Sequence, residues 1–191
     1  MLVNDSGGPS RDAVTRQIAL LRGINVGAHK RVSMAELRDL LRTAGYGEVR
    51  THLQSGNVVL TSQQSPTALG QRLNERIRAS LGIDVDLVVR TRDELAEVIE
   101  RDPFGELVDD PKLYQVSFLS AEPAAEVVHD LNAVDVDPER FFVSGREIYA
   151  WHPTGIQRSR LAGLLTDRRL GVTATARNWN TVTKLLALAS E

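Results

Sequence analysis

One spacing recurs through the chain. Ser55-Gly56 and Ser144-Gly145 lie 89 residues apart, and so do Leu81-Gly82-Ile83 and Leu170-Gly171-Val172. An offset that survives a turn, a helix and the start of the next strand restricts the chain to an architecture that can be built twice. The same offset sets Val98 against Ala187 and Ile99 against Leu188 in the last helix of each half. A length of 191 residues accommodates two units of about 90, each able to form a thin core.

Local signals fill in the units. Gln17 to Ile24 is a short apolar run ending before Asn25, which reads as a buried strand. Ser33 and Glu36 have the spacing of a capping box, opening a helix through Met34, Leu37, Leu40 and Leu41 that ends at Gly45. Val49 to Gln54 and Val58 to Thr61 flank the turn Ser55-Gly56-Asn57 and predict a hairpin in which Gly56 and Asn57 take positive φ. Ser65-Pro66 opens a helix lined by Leu69, Leu73 and Ile77 and closed by Gly82. Val85 to Arg90 is the next strand, and Thr91 with Glu94 caps the helix that follows. The stretch 101–112, with Pro103, Gly105 and Pro111, reads as a linker.

The order then repeats. Strand Leu113 to Leu119 precedes a helix from Pro123 to Leu131, and strands Arg140 to Val143 and Glu147 to Trp151 enclose a second turn. One helix is predicted from Gly155 to Arg169, a strand at Val172 to Ala176, and a last helix from Trp179 to Ala189. The expected fold is therefore α+β, with two tandem ferredoxin-like halves, each βαββαβ plus one helix. The expected layout is a disordered tail over 1–15, halves at 16–100 and 113–191, and the linker between them. Their sheets either stay separate or join edge to edge.

Composition excludes several function classes. Without cysteine there is no disulfide, thiolate metal site or cysteine nucleophile. A formal charge of -2 argues against a globally basic nucleic-acid coat protein. No basic start followed by an apolar block suggests a signal peptide, and no run approaches the roughly 18 apolar residues of a membrane helix. A cytoplasmic protein is expected, with no membrane partner and no cofactor. The four histidines lack metal-ligand spacing, no G-x-S-x-G occurs, and no pattern names a general base.

Two segments remain as candidate anion sites. Arg22 to Arg31 is a strand-to-helix loop with Gly23, Gly27 and Lys30, although it matches neither the P-loop nor the dinucleotide fingerprint. Arg158 to Arg177 carries Arg158, Arg160, Arg168, Arg169 and Arg177 against Asp167 alone, a local excess of four positive charges in a net-negative chain. Asn178 falls near the position of Thr91 and suits a helix N-cap, whereas Arg177 has no comparable local role.

Leu20-Leu21-Arg22-Gly23-Ile24-Asn25-Val26-Gly27, Gln54-Ser55-Gly56-Asn57-Val58 and Thr175-Ala176-Arg177-Asn178-Trp179 resemble a bacterial family known as domain of unknown function 1697. The likeness runs from about Gln17 to Leu188 and implies an α+β cytosolic protein without an established activity. Ala28, His29, His52 and Arg160 depart from that family's usual residues.

Together these residues lead to an expected cleft between the halves that binds a phosphorylated small molecule or nucleotide. Its expected ligand-binding residues are Arg22, Asn25, Lys30, Asn57, Arg158, Ser159, Arg160 and Arg177. The alternative is a non-catalytic module that binds RNA or protein through the strand aromatics Tyr114, Phe118, Phe141, Phe142, Tyr149 and Trp151.

Overall fold

The computed structural model describes residues 14–25 and 31–191. Strand β1 (Thr15–Leu21) is followed by α1 (Met34–Thr43), β2 (Gly47–His52), β3 (Asn57–Ser62), α2 (Pro66–Leu81), β4 (Leu87–Thr91) and α3 (Arg92–Arg101). The second half runs β5 (Tyr114–Leu119), α4 (Ala125–Asn132), β6 (Arg140–Ser144), β7 (Glu147–Trp151), α5 (Arg160–Leu164), α6 (Asp167–Leu170), β8 (Ala174–Asn178) and α7 (Trp179–Ser190). Both halves form four-stranded antiparallel sheets, ordered β2-β3-β1-β4 and β6-β7-β5-β8. The fold is α+β. The two sheets remain separate.

Helix ends follow local capping chemistry. Ser65 accepts from the Ala68 amide with Pro66 in the first turn, and Gly82 closes α2 in the left-handed region at φ 67°. Thr91 and Glu94 form a reciprocal capping box on α3, and the Asn178 side chain caps α7 through the Thr181 amide. At α1 only the Ser33 side of the expected box is made, and the C-cap is Ala44 rather than Gly45. In the first hairpin Gly56 takes φ 77°, but Leu53 rather than Asn57 is the second left-handed residue.

The single helix expected over 155–169 is not formed. A 3-10 turn at Ile156–Arg158 gives way to α5, and α6 starts a separate turn. Ser159 breaks the run because its hydroxyl caps the Ala162 amide. Asp167 restarts it, accepting from the Ala174 amide and so tying α6 to β8. Thr15, expected in the tail, is the first residue of β1; residues 1–13 lie outside the described part of the chain.

Strand β1 is buried on both faces. Ala19 and Leu21 face one core with Val58, Leu60 and the apolar stripes of α1 and α2. Ile18 and Leu20, one step out of phase, face another together with Val59 and Val88. That second core is shared between halves: Val116, Phe118 and Tyr149 of the second sheet enter it with Leu95 and Val98 of α3 and Val182 and Leu185 of α7. A smaller cluster of Leu119, Ile148, Leu170 and Ala174 backs the second sheet.

The inward positions of α3 and α7 correspond at a spacing of 87, not 89: Leu95 matches Val182, and Val98 matches Leu185. The register slips because β4 begins five residues after Gly82, whereas β8 begins only three after Gly171.

Candidate functional site

The same slip brings Arg90 and Arg177 into equivalence. Arg90 pairs in register with Ile18, three residues before the end of β1, and Arg177 with Val116, three before the end of β5. Each arginine leaves its own sheet and grips the other half. Arg90 donates to the Leu119 carbonyl at 2.8 Å, to the Arg146 carbonyl at 3.1 Å and to Glu147 Oε1 at 2.8 Å. Arg177 donates to the Leu21 carbonyl at 2.7 Å, the Ser55 carbonyl at 3.1 Å and Asn57 Oδ1 at 2.5 Å. In each case the acceptors are the last residue of the partner sheet's first strand, the first residue of its third, and a carbonyl of the turn just before that third strand. The chemistry differs at one point. Arg90 meets a carboxylate in Glu147, whereas Arg177 meets the neutral amide of Asn57.

Burial shapes both groups. Arg90 is 1% exposed, and desolvation pulls its pKa below the ordinary arginine value against the opposing pull of Glu147. Phe118 lies beneath its guanidinium at 5.8 Å. For Arg177, burial alone pushes the pKa down to about 10, which leaves the side chain charged at neutral pH. Thr175 Oγ1 and the Ala176 carbonyl take further bonds from its Nη1, so protein oxygens engage all three of its nitrogens.

The neighbouring candidates are similarly occupied. Arg22 pairs with Asp167 and, at 3.6 Å, with Asp86. Asn25, in the left-handed region at φ 55°, donates to the carbonyls of Val32 and Gln54 and accepts from the Val32 amide. Asn57 also donates to the His52 carbonyl and Ser55 Oγ. Gly56 fits between them only as glycine, since a Cβ there would come within 2.7 Å of Leu21 and Ile24. Arg22, Asn25, Asn57 and Arg177 are thus brought together at one seam. Lys30 lies outside the described residues.

Arg158, Ser159 and Arg160 belong to a different cluster. Arg160 donates to the Asp135 carbonyl at 2.8 Å, and Arg158 is exposed on the 3-10 turn. Ser159 Oγ lies 2.9 Å from His152 Nδ1, and Glu139 Oε1 lies 2.8 Å from the same nitrogen. A serine–histidine–acid relay uses the two different ring nitrogens, so this arrangement is not one. It is a buried tie between the β6–β7 hairpin and α5, completed by the Leu161 amide on Glu139 Oε2 at 2.9 Å.

Burial alone would raise the Glu139 pKa. Hydrogen bonds from Ser159, His152 and the Leu161 amide, together with the charge of His152, hold its carboxyl below the ordinary value. A depressed folded-state pKa contributes stability above the unfolded value that is lost as pH falls through the folded one. Thermal melts of wild type are therefore expected to lose stability below pH 4.5, with Glu139→Gln giving a flatter acid limb and a lower Tm at neutral pH. Parallel acid limbs would remove Glu139 from the account.

The aromatics named from the strands divide between core and surface. Tyr114 stacks on Trp179 at 4.8 Å, Tyr114, Phe118 and Tyr149 are buried, and Phe142 is the exposed member at 44%.

A concave site does lie between the halves. His52 and Leu53 of the first half, Lys112 before β5, and Asn178, Asn180, Thr181 and Lys184 at the start of α7 line a shallow, open and largely apolar concavity of about 490 Å³. No carboxylate lines it, and among the described residues neither lysine has a carboxylate partner. The His52 pKa is lowered first by burial and then by the Lys184 charge. Neither lysine is marked in the sequence, because isolated lysines carry no motif.

Fold and seam define a two-sheet α+β protein whose halves clasp one another through paired arginines. The chain belongs to the family described as Protein of unknown function (DUF1697), whose model matches residues 14–149. Among solved structures it is similar to the conserved bacterial protein SP0830 from Streptococcus pneumoniae, at 23% identity and a TM-score of 0.72, over 93% of this chain and 99% of that one. No curated protein matches the sequence. Among the described residues no group of histidine, aspartate and glutamate could hold a metal ion, and no helix is long and apolar enough to cross a membrane.

Proposed function

We propose that the chain binds an anionic small molecule, a phosphorylated metabolite or nucleotide, in the cleft between its halves. The observation that carries this reading is the convergence of Lys112, Lys184 and His52 on one 490 Å³ concavity without a lining carboxylate. That size suits a metabolite, and two unpaired ammonium groups favour a phosphate over a neutral ligand. Asn178 and Asn180 supply amides for orientation. Arg22, Asn25, Asn57 and Arg177 act beside the cleft by fixing the seam rather than by touching the ligand.

We read the halves as ferredoxin-like copies of one ancestral unit, fused by duplication. The common strand order and the equivalence of Arg90 with Arg177 support this.

Thermal shift against pyrophosphate, AMP and a sugar phosphate tests the binding. A ligand at about 100 times its Kd stabilises the fold by about 2.7 kcal/mol, roughly 5–10 °C for a protein of this size. Lys112→Gln with Lys184→Gln is expected to reduce the shift while leaving the unliganded Tm in place, and a shift unchanged in that variant overturns the reading. Binding should also tighten as pH falls through the His52 pKa, because protonation adds a third positive charge to the cleft. Absence of any shift across the panel overturns the reading.

A further inference from the structure

A larger concavity, of about 570 Å³, lies in the first half, away from the residues of the seam. It opens because β2 does not stay in register with β3: the ladder shifts between Gly47 and Arg50, and Glu48 is forced into the left-handed region at φ 47°. Such a bulge turns a strand aside and exposes the neighbouring backbone, and strained non-glycine residues cluster where a site needs them. A Cβ on Gly47 would collide with Thr61 Oγ1, so any side chain here would require Thr61 to turn away.

The walls mix polar and apolar groups and carry no carboxylate. Tyr46, Thr61, Gln63, Gln64, Arg72 and Arg76 line the pocket, with the backbone of 44–47 at its rim. Arg72 and Arg76 stand one turn apart on α2, beside the buried stripe of Leu69, Leu73 and Ile77. Arg72 has only Glu75 at 3.6 Å, and Arg76 has no carboxylate partner among the described residues. Tyr46 donates to Gln64 Oε1 at 3.2 Å, which fixes one wall.

Behind that wall Gln17, fully buried, donates through Nε2 to the Gln64 carbonyl at 2.7 Å. Its Oε1 is the buried side-chain polar atom without a partner among the described residues. A buried polar atom without a partner is costly, and its place directly behind the pocket wall marks this as a region not optimised for stability alone.

We propose that this pocket is a second binding site, for a small polar metabolite whose phosphate or carboxylate head is held by Arg72 and Arg76. Two guanidinium forks on one helix face match an oxyanion bidentately, which a lysine pair would not do. The amides and hydroxyls of Gln63, Gln64, Thr61 and Tyr46 then suit hydroxyls on the rest of the ligand.

Titrations of the full chain with glucose 6-phosphate, citrate and glucose, followed by ¹⁵N NMR of the arginine Nε–H and backbone amides, test this. Saturable shifts at Arg72, Arg76, Gly45 and Gly47 are expected with at least one of the two anions and not with glucose. A response to glucose 6-phosphate alone assigns a phosphate ligand, and one to citrate alone a carboxylate. Both arginines are exposed, so Arg72→Gln with Arg76→Gln should leave the fold intact and weaken binding at least tenfold. Lys184→Gln should leave these shifts unchanged, which separates this site from the seam cleft. Shifts absent with both anions, equal for glucose, or retained in the double arginine variant overturn the proposal.

Discussion

Arg90→Ala is expected to be the most damaging single polar substitution in the chain. Removing one member of a buried ion pair typically costs about 3–5 kcal/mol, because the partner is left charged and dry. Here Glu147 would lose its buried counter-charge, the Leu119 carbonyl would lose the Arg90 donor, and the Arg146 carbonyl would keep only the Leu119 amide. At about 2–4 °C per kcal/mol for a protein of this size, the melting temperature should fall by on the order of 10 °C. Arg90→Met alone and with Glu147→Leu isolates the cause. The double variant should be about 1 kcal/mol or more steadier than the single, since no carboxylate remains stranded, yet still weaker than wild type because the guanidinium bonds to the Leu119 and Arg146 carbonyls stay lost. Equal loss in the two variants would mean that the ion pair contributes nothing beyond the backbone bonds.

Arg177 provides the contrast. Its partner is the neutral Asn57, and its losses would be carbonyl bonds without a stranded charge. The two clasps share a geometry but differ in what their removal leaves behind.

These arginines also mark the boundary of what the sequence made legible. The caps of α2, α3 and α7 were readable because a cap acts over three residues, as Ser65 on Ala68, Thr91 on Glu94 and Asn178 on Thr181 do. Arg90 and Glu147 are 57 residues apart, and Arg177 and Asn57 are 120 apart. No local pattern encodes such a contact. A constant-offset comparison could have paired the arginines, but the connection before β8 is two residues shorter than that before β4. At a spacing of 89 the two arginines do not align; at 87 Arg90-Thr91 falls on Arg177-Asn178.

The broken helix over 155–169 failed for a related reason. Its apolar spacing is helical, but the Ser159 cap and the pull of Asp167 toward Ala174 belong to tertiary structure. Both concave sites were invisible for a third reason. Each is assembled from segments distant in sequence, and Lys112, Lys184, Arg72 and Arg76 are unremarkable as isolated charges.

The second large effect is expected at Leu185, which settles whether the halves are one folding unit or two. This residue sits on α7 in the core shared by Ile18 and Leu20 of one sheet and Val116 and Phe118 of the other. Truncating a buried leucine removes its transfer energy and leaves a cavity, together about 2–5 kcal/mol. A helix packed on only one sheet would pass that loss to one half. Shared as it is, Leu185→Ala should lower a single calorimetric transition, with amide exchange quickening in β1 and β5 together. Two separated transitions, or exchange confined to β5 and β8, would mean that the sheets fold independently and that the arginine clasps, not the core, hold them together. The contacts favour the single transition, because α7 touches β1 and β3 as well as β5 and β8. Because the core around Leu185 draws residues from both sheets, unfolding either half would expose apolar surface of the other.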